Sequence, residues 1–194
     1  VLPRPNQAYW ALSALWAGWL WGREAVGPFR SVLRRRRYDW TWHYTGLSAA
    51  LDGLFRTLPP NTKMLALASE AEAGLLTAVL GAGQSAGFSM EGLALRTEPA
   101  FAQIEWQASQ SKRVEQSSTS KPALQSAIDQ AQECLHDLGQ PANYLVVYTA
   151  ALTGLLQANF FSTPADQTAE GELNSEPSSA QAASLATNTI RQAL

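Results

Sequence analysis

Between Phe101 and Gln107 the chain alternates: Ala102, Ile104 and Trp106 fall on one side, Gln103, Glu105 and Gln107 on the other. A period of two is the signature of a strand with one buried face. Phe88 to Arg96 reads as a strand before it, and Thr97, Glu98 and Pro99 as the turn between them, so the two should pair antiparallel. Further upstream, Met64 to Ala68 is a short apolar run without alternation. That is the pattern of a strand buried on both faces, as in a parallel sheet. The fold expected is therefore α/β, a sheet of about three strands flanked by helices, with a helical C-terminal appendage after residue 120.

The helices are read from period 3.6. In Tyr9–Trp21, Leu12, Leu15, Trp16, Trp19 and Leu20 follow the spacing of one face, which is expected to be buried. Trp10, Ala14, Ala17 and Trp21 make the opposite side apolar too, so the helix should be covered all round. A second short helix spans Arg23 to Arg36, with Pro28 near a start or break. Asp39 caps a third, with a stripe of Leu47, Ala50, Leu51, Leu54, Phe55 and Leu58. Ser69 and Glu72 give a capping-box pattern opening a fourth helix, which runs to about Gly87. A fifth carries Leu124, Ile128, Ala131, Leu135 and Leu138 and ends at Gly139, and Tyr144 to Asn159 is a strongly apolar sixth. Residues 108–120 are Ser-rich and polar, residues 162–177 are acidic, and both read as loops or linkers. A last helix is expected over 178–194.

Charge is scarce, 15% of the 194 residues, and uneven. Residues 1–60 carry eight Arg against Glu24, Asp39 and Asp52, whereas residues 61–194 carry six basic and thirteen acidic side chains. An anionic partner would therefore meet the first third. One cysteine, Cys134, excludes an internal disulfide and makes a reducing, cytoplasmic compartment the default. The uncharged stretch at residues 5–22 is shorter than the ~20 residues a membrane span needs and holds Asn6, Gln7 and Ser13, so no membrane partner is expected. The chain starts at Val1 without Met, which fits a fragment or a processed protein.

Arg34, Arg35, Arg36 and Arg37 are followed by Tyr38, Trp40, Trp42 and His43. Guanidiniums meet phosphates and flat rings stack on unpaired bases, so the segment suits nucleic acid. The reading favoured over it is a basic helix end beside tryptophans packed in the core. Gly81, Gly83 and Gly87 close a helix and lead into a strand, the reverse of a phosphate-cradling loop, and are read as helix-ending. His43 and His136 lack companions at ligand spacing, so no metal is expected. No nucleophile setting of the G-x-S-x-G type is present.

The order helix, strand, capped helix, strand, turn, strand over residues 45–107 resembles the last part of the Rossmann-like fold of S-adenosylmethionine-dependent methyltransferases. In that family the final two strands are an antiparallel pair, and a helix exits near Ala-Gly-Phe, here Ala86, Gly87 and Phe88. The opening Leu2-Pro3-Arg4-Pro5-Asn6-Gln7-Ala8-Tyr9-Trp10, with Leu12-Ser13 and Trp19-Leu20, resembles the region after the fourth strand of amino-directed bacterial DNA methylases. There a D/N-P-P-Y/F/W motif holds the target amino group. Gly139-Gln140-Pro141-Ala142 before a helical tail is similar as well. The resemblance implies that Asn6, Tyr9 and Trp10 border a target-base pocket and that Arg34 to Arg37, with Trp40, Trp42 and His43, contact DNA. The motif departs from the family pattern, because Gln7 and Ala8 stand where two prolines belong and no acid precedes Pro3.

The family's glycine-rich loop and ribose-binding acid lie upstream of this motif. The resemblance thus implies S-adenosylmethionine as cofactor of a parent protein and none bound by this chain alone. It implies residues 1–108 as the C-terminal half of a methyltransferase-like domain, 109–120 as a linker, 121–160 as a helical hairpin appendage, 161–177 as an acidic linker and 178–194 as a terminal helix. The expected function is a DNA-methylase fragment that lacks the cofactor-binding front half and is inactive alone, its partners being DNA, the missing front half or a second copy. The alternative is a non-catalytic protein-interaction or nucleic-acid-binding module.

Overall fold

The computed structural model describes residues 1–2, 7–33, 39–108, 123–162 and 179–194. The chain divides into two compact units, one of Pro3–Asp39 and one of Val1–Leu2 with Trp40–Leu194.

The smaller unit is helical. Helix α1 spans Gln7–Trp21, a 3₁₀ turn follows over Arg23–Val26, and α2 covers Gly27–Leu33. The single helix expected over Arg23–Arg36 is thus broken in two, with Pro28 in the first turn of α2, where its missing N–H costs nothing. Gly22, at φ 87°, makes the reversal after α1. Small residues let the pieces close up: Ala14 and Ala17 are buried, and a Cβ on Gly18 would lie 2.8 Å from Val26 Cγ2. The apolar face expected to be covered points outward instead.

The larger unit holds α3 (Trp40–Thr57), β1 (Lys63–Ala68), α4 (Ala73–Ser85), β2 (Phe88–Thr97), β3 (Ala100–Ala108), α5 (Ala123–Leu138), α6 (Tyr144–Gln157) and α7 (Ser179–Ala193). It is α/β, with the strands in the order β1–β3–β2 and β3 antiparallel to both neighbours. β1 and β2 therefore run parallel, and α4 is the crossover between them. The β2–β3 hairpin and its short turn match the sequence reading. Its register shifts between Met90 and Gly92, where Glu91 is an extra residue.

The sheet has one apolar face and one mixed face. Ala66, Ala68, Phe88, Ala102, Ile104, Trp106 and Ala108 are buried in a single core with residues of α3, α4, α6 and α7. Across β1, Lys63, Leu65 and Leu67 stand opposite Gln107, Glu105 and Gln103. β1 is consequently not buried on both faces: Leu65 is 64% exposed. Its lack of alternation has no structural counterpart, because the polar side chains of that face are supplied by β3.

Helix α4 begins at Ala73, one residue after Glu72, whose side chain makes no capping bond. The expected capping box does not form, since Glu72 itself occupies the cap position and Ser69 lies outside the helix. Gly81 and Gly83 sit inside the helix rather than ending it. They are places of close approach: an added Cβ would lie 2.7 Å from the Phe161 ring at Gly81 and 2.9 Å from the Trp106 ring at Gly83. Only Gly87, with φ 100°, terminates the helix as expected.

Residues 121–160, expected as an appendage, belong to the same compact unit as the sheet. Thr77 of α4 meets Tyr148 of α6 through their hydroxyls, 2.7 Å apart. Gln84 donates to Leu156 O at 2.6 Å, and Phe161 N–H donates to Gln84 Oε1 at 3.0 Å. Phe161 is buried, so the acidic stretch starts later than expected. Helix α5 presents Ala127 and Ala131 to the core, while Leu124, Leu135 and Leu138 of the expected stripe are exposed. Small residues win because α5 and α6 come very close: an added Cβ on Gly154 would collide with the Ser126 carbonyl. In α3 the stripe holds for Leu47 and Leu51, but Leu54 and Ala50 are exposed. The Ser-rich loop at 109–120 and the acidic linker at 163–177 lie outside the described residues.

Candidate nucleic-acid interface

The residues singled out from the sequence fall in different settings. Asn6 and Arg34, Arg35, Arg36 and Arg37 lie outside the described residues. Tyr9 falls within α1. Trp10 is half-buried, its ring 6.3 Å from that of Phe29. Trp40 opens α3 and lies against Gly74 at the start of α4, where an added Cβ would collide with the indole. His43, one turn on, is buried and meets Trp40 edge-on at 6.1 Å. These two rings pack the α3–α4 contact, and stacking on a base would require pulling them out of it. Trp42 is half-buried.

Sequence reasoning placed a second group on the buried side. Leu12, Leu15, Trp16, Trp19 and Leu20 form a continuous stripe on α1, each between 49 and 78% exposed, and Trp21 is exposed beside it. The Trp16 and Trp19 rings lie 5.3 Å apart at 49°. Arg23 and Arg30 of the same unit are exposed. Exposed indoles with guanidiniums nearby can stack on unpaired bases while the cations meet phosphates. Periodicity found the stripe correctly but carries no sign, because an apolar face looking outward has the same spacing as one looking inward.

Among the described residues, no three His, Cys, Asp or Glu side chains are grouped to hold a metal ion, and no helix is long and apolar enough to cross a membrane. Cys134 is half-buried, and His136 is exposed with Nδ1 3.7 Å from Asp137. No family model, curated protein or solved structure matches this chain.

Proposed function

We propose that this chain is the latter part of a Rossmann-like, methylase-type α/β domain that acts on DNA, and that its helical unit makes nucleic-acid contacts. The observation that carries the reading is the path β1–α4–β2–β3: parallel β1 and β2 joined by a crossover helix, then an antiparallel return strand. The exit of α4 through Ala86 and Gly87 into Phe88 supports it, with Gly87 in the left-handed region. The contacts are assigned to Trp16, Trp19 and Trp21 with Arg23 and Arg30; Arg34 to Arg37, Asn6, Tyr9 and Trp10 are added to them from the sequence resemblance alone. Trp40, with His43 packed against it, serves mainly to hold α3 on α4.

S-adenosylmethionine does not fit the residues described. The turn from β1 into α4 holds Ser69, Glu70, Ala71 and Glu72 and no glycine, and Gly81 and Gly83 are filled by aromatic rings. The cofactor's seat belongs to a front half, and this chain is inactive by itself. A second reading, a protein-docking module, is favoured by Leu12, Leu15 and Leu20, aliphatic side chains that neither stack on bases nor meet phosphates.

Fluorescence anisotropy with single-stranded oligonucleotides over a salt series separates the two. Affinity that falls steeply with salt and drops at least about tenfold in Trp16→Ala/Trp19→Ala supports nucleic-acid contact. Absence of binding at low salt, with association between chains instead, leaves the docking reading. Calorimetry with S-adenosylmethionine should show no heat of binding, and micromolar binding would place the cofactor site on this chain.

A further inference from the structure

Ala108 N–H donates to Thr62 O at 2.9 Å, and Asn61 N–H donates to Ala108 O at 2.7 Å, so the Ala108 backbone turns toward β1. Alternate residues of a strand turn their backbone groups to opposite edges. Gln103 and Phe101 therefore turn toward β2, where they pair with Ala94 and Arg96. Leu93, Leu95 and Thr97 are left with N–H and C=O directed to the outer edge of β2. Among the described residues, β2 pairs with no strand but β3.

An open edge is ordinarily protected by a bulge or by charge. The bulge at Glu91 lies toward one end of β2, and Gly92 to Thr97 pair regularly with β3. The charges on this strand are Glu91 and Arg96, both exposed. The Ser89 hydroxyl donates to Glu91 Oε1 at 3.0 Å, which keeps that carboxylate on the mixed face of the sheet. Arg96 lies on the same face, opposite Phe101. Two opposite charges thus stand on either side of Ala94.

We infer that the outer edge of β2 pairs antiparallel with the β2 of a second copy, across a two-fold axis at Ala94, so that the sheet continues through both copies. A two-fold contact is reciprocal: what one copy offers at one end, the other offers at the opposite end. Pairing Leu93 with the second copy's Leu95, and Leu95 with its Leu93, joins outward-turned backbone groups at both places. It also sets these half-buried leucines side by side. Gly92 then stands opposite the second copy's Arg96, in the closer kind of cross-strand pair. Gly92 has no side chain in the way, so the guanidinium reaches the neighbouring Glu91 carboxylate, and symmetry makes the same ion pair twice. A register centred on Leu95 would set Gly92 opposite Glu98 instead, with like charge approaching Glu91. A foreign apolar strand would leave Glu91 and Arg96 unmatched, whereas a second copy carries the complement itself. The inference stands on the geometry of β2 and does not depend on the methylase reading.

Sedimentation equilibrium of the full chain, over a concentration series into the millimolar range, tests it with Glu91→Arg and Arg96→Glu, both exposed positions outside the core. The parent chain should dimerise. Each variant alone should dimerise at least about tenfold more weakly, because attraction becomes repulsion at both symmetric places. An equimolar mixture of the two variants should return to within about threefold of the parent, because each contact again joins opposite charges. A parent chain that stays monomeric throughout, charge reversals without effect, or single losses that mixing does not restore would each overturn the inference. Dimers lost in Trp16→Ala/Trp19→Ala but indifferent to the charge reversals would overturn it as well, by moving the contact to α1.

Discussion

The Tyr148 hydroxyl lies 2.7 Å from Thr77 Oγ, inside the core, where both residues are almost fully buried. Thr77 also donates to Ala73 O at 2.9 Å, which uses its one proton and leaves Tyr148 as the donor to Thr77. Replacing one partner strands the other. Thr77→Val leaves the buried phenol without an acceptor and should cost roughly 1–3 kcal/mol; Tyr148→Phe, which removes only the donor, should cost about 1 kcal/mol. Urea denaturation of the double mutant should give less than the sum of the single losses. Strict additivity would mean that the two hydroxyls do not depend on each other.

Gly154→Ala sets two effects against each other. In a helix interior this change ordinarily stabilises by about 0.5–1 kcal/mol. Here the new methyl meets the Ser126 backbone carbonyl, which cannot rotate away, and overpacking of this kind costs about 1–3 kcal/mol or more. The net effect should be a loss, seen as a lower denaturation midpoint. A gain would show that α5 moves off α6 without penalty.

Tryptophans at different depths should behave oppositely. Trp106 is fully buried between Gly83 and Phe88, so Trp106→Ala should cost roughly 3–5 kcal/mol. Trp16→Ala and Trp19→Ala remove exposed rings and should leave stability within about 0.5 kcal/mol. Thermal denaturation of the three variants checks both halves of this contrast, and a large loss at Trp16 or Trp19 would mean that the α1 stripe is covered.

Lys63 should make stability fall at alkaline pH. The hydrogen bond and negative charge of Glu105 raise its pKa above the usual lysine value. A raised pKa on a basic group favours the folded state at pH values below the ordinary lysine pKa. The benefit disappears as pH climbs through the raised pKa. The contribution is small, because the pair is exposed to water. Denaturation midpoints of Lys63→Met should therefore decline less than those of the parent between neutral and strongly alkaline pH. Parallel decline would remove Lys63 from the account.

The order of elements was legible because each period is local. β3 announced itself through Ala102, Ile104 and Trp106, all of which are buried. Gly87 and the turn at Glu98–Pro99 were readable as punctuation. Strand order was not readable, since nothing in residues 100–108 says that they pass between β1 and β2. The contact faces of α5 and α1 were misjudged for one reason: period counts apolar side chains, whereas close packing selects small ones. Ala127 and Ala131 in α5, and Ala14 and Ala17 in α1, take the contact surfaces and leave the larger residues outside. Of the interface, the basic and aromatic composition was visible, while the burial of His43 and the contact of Trp40 with Gly74 depend on α4, more than twenty residues away in sequence.

The strand that synthesis delivers last is the one that lies in the middle. Among the described residues, the strand that pairs with β1 and with β2 is β3, so until Ala100–Ala108 leaves the ribosome neither of these ladders can form. Assembly of the sheet is therefore a single late event that closes both ladders together, and a nascent chain halted at Pro99 would hold α3 and α4 with two unjoined strands.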